Sequence, residues 1–355
     1  MRSGADHRTR RSSVAPSPAM SRPHADRPVR VLEWIRSPIR MWTLPRELVS
    51  KLAEDVPQVS VMSPATREEA DSLLAEAEVV LGFLVRPENF ARARRLRWIH
   101  STAAGIGGML FPELVASDVV LTNGRGLHAD AMAEHALAMM LAFARKLHHA
   151  RDAQRAHEWT QSRTWEEAPA VDSLAGSTLG LVGLGAVGSA IAVRARALGM
   201  RVLAVRRRPA PDPAPADEQW PLSRLEELLP RVDWLVLAAP HTSETTGLIG
   251  GDELRLMKSS ARLMNLGRGA LVDEPALIDA LRSGRLAGAA LDVFAEEPLP
   301  ATSPLWGLPE VIVTPHTSGL GPLLWERAMA QFTANLRRFI AGQPLENVVD
   351  KRAGY

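Results

Sequence analysis

Four side chains carry most of the chemistry this sequence suggests: Arg268 in Asn265-Leu266-Gly267-Arg268-Gly269, Asp292 and Glu297 in LDVFAEEP, and His316 in VIVTPHTSG. A guanidinium is a fixed positive charge that holds a carboxylate and stabilises a developing oxyanion, and an imidazole moves protons near neutral pH. A carboxylate beside that imidazole favours its protonated form and keeps an acid loaded. Each segment follows directly on a short apolar run, ARLMNL, LAGAALDV or VIVTP. In an open parallel sheet, ligands bind beyond the carboxyl ends of the strands, so all four residues are expected at one sheet edge. Three strand ends would thus present an arginine, carboxylates and a histidine to one edge of the sheet.

A second group of residues points to the electron carrier. Gly183-Leu184-Gly185-Ala186-Val187-Gly188 stands between the apolar run TLGLV and a helical period. Gly183 permits a tight turn, Gly185 lets a pyrophosphate approach the backbone, and Gly188 lets the helix pack close to its strand. The N–H groups and positive dipole end of the helix would receive the phosphates. The next strand, RVLAV, runs into Arg206, Arg207 and Arg208, where an NAD site commonly carries an acid for the ribose hydroxyls. Guanidinium groups bind a 2′-phosphate through charge-assisted bonds, which favours NADP(H) over NAD(H).

The elements that must position these residues are legible as alternating β-rich and helical runs. From Val29 come VRVLEWI, PRELVSKLAEDV, QVSVMS, TREEADSLLAEA, EVVLGFLV, a helix near Pro87–Arg94, RWIHST and VVLTN. A single long helix is expected over about Ala129–Ala156. The alternation then restarts and runs to VIVTP, with a last helix over about Pro322–Ala341. This pattern predicts an α/β protein with two doubly wound parallel-sheet domains. The first 27 residues, rich in Arg, Ser and Pro, read as a disordered tail.

Composition narrows the function classes. The 355 residues include no cysteine, which excludes disulfides, thiol nucleophiles and cysteine metal sites. The net charge is +2, but the first 27 residues hold six arginines against two aspartates, so the remainder is mildly acidic at −2. No broad nucleic-acid footprint is expected, and no apolar run is long enough for a membrane helix. His148, His149 and His157 read as a solvated or interface face rather than a metal set, so no metal is expected; Trp306 reads as aromatic packing.

STAAG, NGRG at Asn123–Gly126, AEHALAMMLAFAR at Ala133–Arg145, GLGAVG, NLGRG, LDVFAEEPLP, SPLWGLP and TPHTSG occur in order. In these motifs, over about residues 29–349, the sequence resembles the D-isomer-specific 2-hydroxyacid dehydrogenases. The resemblance implies a Rossmann nucleotide domain, 124–318, inserted into a flavodoxin-like substrate domain made of 28–123 plus 319–350. It implies that Arg268 binds the substrate carboxylate and polarises the keto oxygen, with His316 as acid/base and Glu297 bonded to it. Ala104 and Gly105 would help seat the carboxylate, and Asp292 would lie near the nicotinamide carboxamide. The cofactor would contact Gly183, Gly185, Ala186, Val187, Gly188, Arg206, Arg207, Pro240, Leu266, Arg268, Asp292, His316 and Gly319. A cytoplasmic homodimer using the long helix and the arm after it is also implied. Where the family has an Asp two residues beyond the STAAG glycine, this chain has Ile106-Gly107-Gly108, which bears on substrate preference. The expected activity is NADP(H)-linked reduction of glyoxylate or hydroxypyruvate. The alternatives are NAD-linked oxidation of a bulkier 2-hydroxy acid and non-catalytic dinucleotide sensing of the corepressor kind.

Overall fold

The computed structural model describes residues 27–166 and 171–354. Nearly all of the expected tail, residues 1–26, lies outside them. The chain divides into two units, one comprising the described residues up to Thr102 with Phe111–Asn123 and Trp325–Val349, the other Ala103–Leu110, Gly124–Leu324 and Asp350–Gly354.

The first unit holds a five-stranded, all-parallel sheet of β1 (Val29–Trp34), β2 (Val59–Met62), β3 (Val79–Gly82), β4 (Trp98–His100) and β5 (Val120–Thr122) in the order β2-β1-β3-β4-β5. That is the strand order of flavodoxin-like folds. The helix Leu324–Ile340 supplies Met329, Phe332, Leu336 and Phe339 to the core of this sheet, beside Val31, Val79, Leu81 and Trp98. Trp98 stacks on Phe332 and Phe339 with ring centroids 5.2 and 5.6 Å away. Its indole N–H donates to Thr122 Oγ1 at 2.8 Å, so the buried ring has its one polar group satisfied.

The second unit is built on seven parallel strands: β6 (Thr178–Val182), β7 (Arg201–Arg206), β8 (Glu218–Pro221), β9 (Trp234–Leu237), β10 (Arg262–Asn265), β11 (Gly288–Leu291) and β12 (Val311–Val313). Their order is β12-β11-β10-β9-β6-β7-β8, so the winding reverses between β6 and β9, the crevice where dinucleotides bind in Rossmann folds. Alternation along each strand feeds two cores. Leu235, Leu237, Leu263 and Leu291 pack on one face, and Trp234, Val236, Met264 and Ala290 on the other. Small residues, Ala133 and Ala136 on the helix Ala129–Ala144 and Ala192 on Ala186–Ala197, share the second core and permit close helix packing.

Two departures from expectation have local causes. The long helix is broken: Ala129–Ala144 ends, Lys146 turns left-handed at φ 51°, and a new helix runs Leu147–Ala156. At that break His148 Nδ1 lies 3.3 Å from the carbonyl of Ala142, one of the carbonyls a helix end leaves open. Strand β8 was not expected, because Glu-Gln-Trp-Pro has no apolar run; it sits at the sheet edge, where a proline is tolerated.

Candidate active site

β6 delivers the chain to Gly183, whose φ of +99° and N–H bond to Val205 O (2.8 Å) form the tight turn. The helix Ala186–Ala197 then starts with Gly185 as its N-cap, without a side-chain cap. A Cβ on Gly188 would stand 2.1 Å from Gly183 O, whereas a Cβ on Gly185 would meet nothing within 4 Å. The third glycine is therefore a packing necessity, and the second leaves an open cradle over a helix N-terminus with Ala186 and Val187 in its first turn. That cradle fits a pyrophosphate. Next along the sheet, β7 ends in half-buried Arg206 followed by exposed Arg207 and Arg208. Among the described residues no carboxylate forms an ion pair with Arg206.

Three adjacent strands carry the other groups. β10, β11 and β12 run parallel in register, Asn265 beside Leu291 and Leu291 beside Val313. Asp292 follows β11 directly, and Arg268 and His316 each stand three residues beyond β10 and β12. His316, held at φ +54°, has Nδ1 2.6 Å from Glu297 Oε2, while Glu297 Oε1 accepts the Phe294 N–H at 3.0 Å. Both side chains remain open to solvent.

The arginine loop is tied to the same structure. A Cβ on Gly269 would overlap Phe294 O, so the NLGRG and LDVFAEEP loops touch backbone to backbone. Exposed Arg268 donates from Nη1 to Gly267 O at 2.7 Å, and a Cβ on Gly105 would stand 2.0 Å from its Nη2. The guanidinium thus approaches closely where Gly105 carries no side chain. Arg268, Gly105, Glu297 and His316 share one unit, through contacts running Gly105 to Arg268 and Gly269 to Phe294 to Glu297 to His316.

Comparison with known proteins gives the family. Residues 137–318 match the D-isomer specific 2-hydroxyacid dehydrogenase, NAD binding domain. Glyoxylate reductase of Thermococcus gammatolerans is 38% identical over 267 residues, covering 74% of this chain and 79% of that protein. The chain belongs to the D-isomer-specific 2-hydroxyacid dehydrogenase family. D-3-phosphoglycerate dehydrogenase of Mycobacterium leprae is 35% identical over 286 residues, 81% of this chain, but the chain spans only about half (52%) of that protein's length. A solved structure of the NADPH-dependent glyoxylate/hydroxypyruvate reductase of Sinorhizobium meliloti, in complex with NADP and sulfate, superposes with TM-score 0.76 at 27% identity, covering 92% of this chain and 100% of that one. This dehydrogenase is an oxidoreductase of the NAD(P)-dependent class.

Other expected site residues of the dehydrogenase have defined surroundings. Asp292 is 1% exposed and spends its oxygens on its own neighbours: Oδ1 accepts from Thr314 Oγ1 (2.7 Å) and Thr317 N (2.9 Å), and Oδ2 from Ser318 N (3.0 Å). It clamps the loop that carries His316. Leu266 is buried in the sheet core with its N–H on Leu237 O. Pro240 is exposed beyond β9, its carbonyl accepting from Thr245 Oγ1 at 2.8 Å. Gly319 O lies 2.9 Å from His128 Nδ1. Trp306 is half exposed, its indole N–H on Pro300 O, so it is not core packing.

Two positioning residues carried no assigned role in the sequence. Thr314 links Asp292 to His135, whose Nε2 is 3.3 Å from Thr314 Oγ1. Burial lowers the pKa of His135, and the nearby Asp292 only partly opposes it. Asn265 Oδ1 accepts from Gly267 N (3.1 Å) and its Nδ2 donates to Arg268 O (2.8 Å), shaping the arginine turn. An asparagine two residues before Gly267-Arg268-Gly269, the spacing at which its side chain bonds the backbone two residues on, was the available signal.

Proposed function

We propose that this dehydrogenase reduces small 2-keto acids, glyoxylate and hydroxypyruvate first, with NADPH as preferred donor, as a homodimer in the cytoplasm. The observation that carries the proposal is the His316–Glu297 pair at 2.6 Å, joined through Phe294 and Gly269 to a guanidinium lying on Gly105. The relatives support the substrate class, since proteins named glyoxylate reductase and glyoxylate/hydroxypyruvate reductase align over most of the chain. The arginine-ended β7 supports NADPH, because a 2′-phosphate gains charge-assisted bonds there. Residues 28–123 with 319–350 act as the substrate domain and 124–318 as the dinucleotide domain. Trp159 and Trp165, 90% and 77% exposed after the Leu147–Ala156 helix, support a second copy covering that arm. Among the described residues no helix is long and apolar enough to cross a membrane.

Bound NADPH supplies the hydride. Arg268, steadied by Gly267 O, turns its remaining N–H groups to the substrate carboxylate and keto oxygen, with Ala104 and Gly105 as backbone seat. Charge that grows on that oxygen meets a fixed cation needing no reorganisation. His316 donates from Nδ1 to Glu297, which leaves Nε2 as the atom that hands a proton to the oxygen, or takes it back from the hydroxyl in the reverse direction. Asp292 and Thr314 keep the histidine loop in register without touching substrate.

The test is turnover by purified protein with NADPH and NADH against glyoxylate, hydroxypyruvate, pyruvate and bulkier 2-keto acids. Glyoxylate and hydroxypyruvate with NADPH are expected to give the highest kcat/KM. A preference for NADH with a bulky substrate overturns the specificity, and cofactor binding without turnover of any 2-keto acid overturns catalysis in favour of sensing.

A further inference from the structure

The break at Lys146 brings together residues that the sequence left as a polar face. His148 and His149 open the helix Leu147–Ala156, and Glu310 directly precedes β12. His149 Nε2 lies 2.9 Å from Glu310 Oε1, and His148 Nε2 lies 3.7 Å from Glu310 Oε2. The three ligand atoms all fall within 4.8 Å of one another, the only such triad among the described residues.

The hydrogen bonding of His148 is informative. Its Nδ1 faces the Ala142 carbonyl, which can only accept, so Nδ1 carries a proton. Nε2 is buried and makes no hydrogen bond, although a carboxylate oxygen stands nearby. An imidazole held at one nitrogen by a carbonyl, with the other nitrogen free, is the orientation a metal-ligating histidine adopts. Donor atoms on one tetrahedral zinc ion lie about 3.4 Å apart, given bonds of about 2.0–2.2 Å, so 3.7 Å already suits shared coordination. His149 is partly exposed, so its ring has room to rotate toward a shared ion. Arg262 stacks on Phe143 and Trp234 close by and interacts with both Asp172 and Glu310. Arg262, Asp172 and Glu310 together carry one net negative charge beside the two imidazoles.

We propose that His148, His149 and Glu310 form a binding site for a divalent transition-metal ion, Zn²⁺ in the first instance, separate from the dehydrogenase site, with water completing the coordination. Two imidazoles and one carboxylate suit zinc and its cobalt and nickel substitutes and disfavour calcium or magnesium, which take oxygen-rich shells. The ion would pin the Leu147–Ala156 helix to the segment entering β12, the strand that ends three residues before His316.

The test uses the full-length protein, treated with chelator, dialysed and titrated with Co²⁺, whose visible d–d absorption reports a tetrahedral site. One equivalent is expected to bind and to be displaced by Zn²⁺. His149→Gln and Glu310→Gln should each weaken binding by roughly 100-fold, while His157→Gln, one helix end away, leaves it unchanged. Added Zn²⁺ should raise Tm in the parent and the His157→Gln protein but not in Glu310→Gln. No stoichiometric binding at micromolar metal overturns the proposal, as does binding that survives both ligand substitutions. Circular dichroism of both variants guards against loss through misfolding.

Discussion

His316 and Glu297 illustrate how little the individual side chain decides alone. The imidazole is solvent-accessible and its backbone is held at a positive φ that a histidine seldom adopts, yet its Nδ1 has one fixed partner. The loop is kept in that conformation by Asp292, whose carboxylate takes two backbone N–H groups and the Thr314 hydroxyl. Three charge-assisted bonds to a buried carboxylate outweigh a strained φ, which costs about 1–3 kcal/mol. His316→Ala is expected to lower kcat by about 10²–10⁴-fold with NADPH affinity nearly unchanged, because a positioned acid acts on the chemical step. Glu297→Gln keeps an acceptor for Nδ1 and should fall between the two. Stopped-flow turnover alongside cofactor titration checks both, and unaltered kcat in His316→Ala removes the residue from proton transfer.

At the level of elements, β6, its glycine turn and the following helix form one device, and the arginine end of β7 forms another. They separate experimentally. Gly188→Ala forces a methyl against Gly183 O and should weaken NADPH and NADH alike, whereas Arg206→Asp with Arg207→Ala should weaken NADPH by about 10–100-fold and NADH far less. Fluorescence titration with each cofactor reads the difference, and equal losses in the double variant reject the 2′-phosphate assignment. These devices were legible in the sequence because their geometry is local: a glycine spacing between a strand and a helix needs no distant partner. The strand ends were legible for the same reason, since GAAL and RLMN read as fully buried parallel strands. What could not be read depends on remote contacts. The left-handed turn at Lys146, the edge strand β8 and the enclosure of Asp292 by residues 22–26 positions later are fixed by packing that no periodicity encodes. His148 and His149 show the same limit, because Glu310 lies 161 residues from His149 and only the fold brings it near.

For the molecule as a whole, each unit has its own core, and the first unit's core contains a titratable group. His100 is fully buried between Trp98 and Phe332, with Nδ1 2.8 Å from Thr122 Oγ1. Burial removes water from its imidazolium and pushes its pKa down from 6.5 to about 4. Since the unfolded chain binds the proton more readily than the folded one, stability from this group is complete above pH 6.5 and is lost as pH falls toward 4. A depression of that size corresponds to about 3 kcal/mol in all, roughly 2 of it gone by pH 5. His100→Phe keeps an aromatic ring against Trp98 and Phe332 but cannot take up a proton. The variant should therefore start less stable at pH 7.5, since Thr122 loses a partner, and then lose less on acidification than the parent. Urea unfolding at pH 7.5 and pH 5 measures the two differences. If parent and variant lose stability in parallel, His100 is not the group that makes this core acid-sensitive; if the variant's loss shrinks by roughly 2 kcal/mol, the proton enters at this one ring.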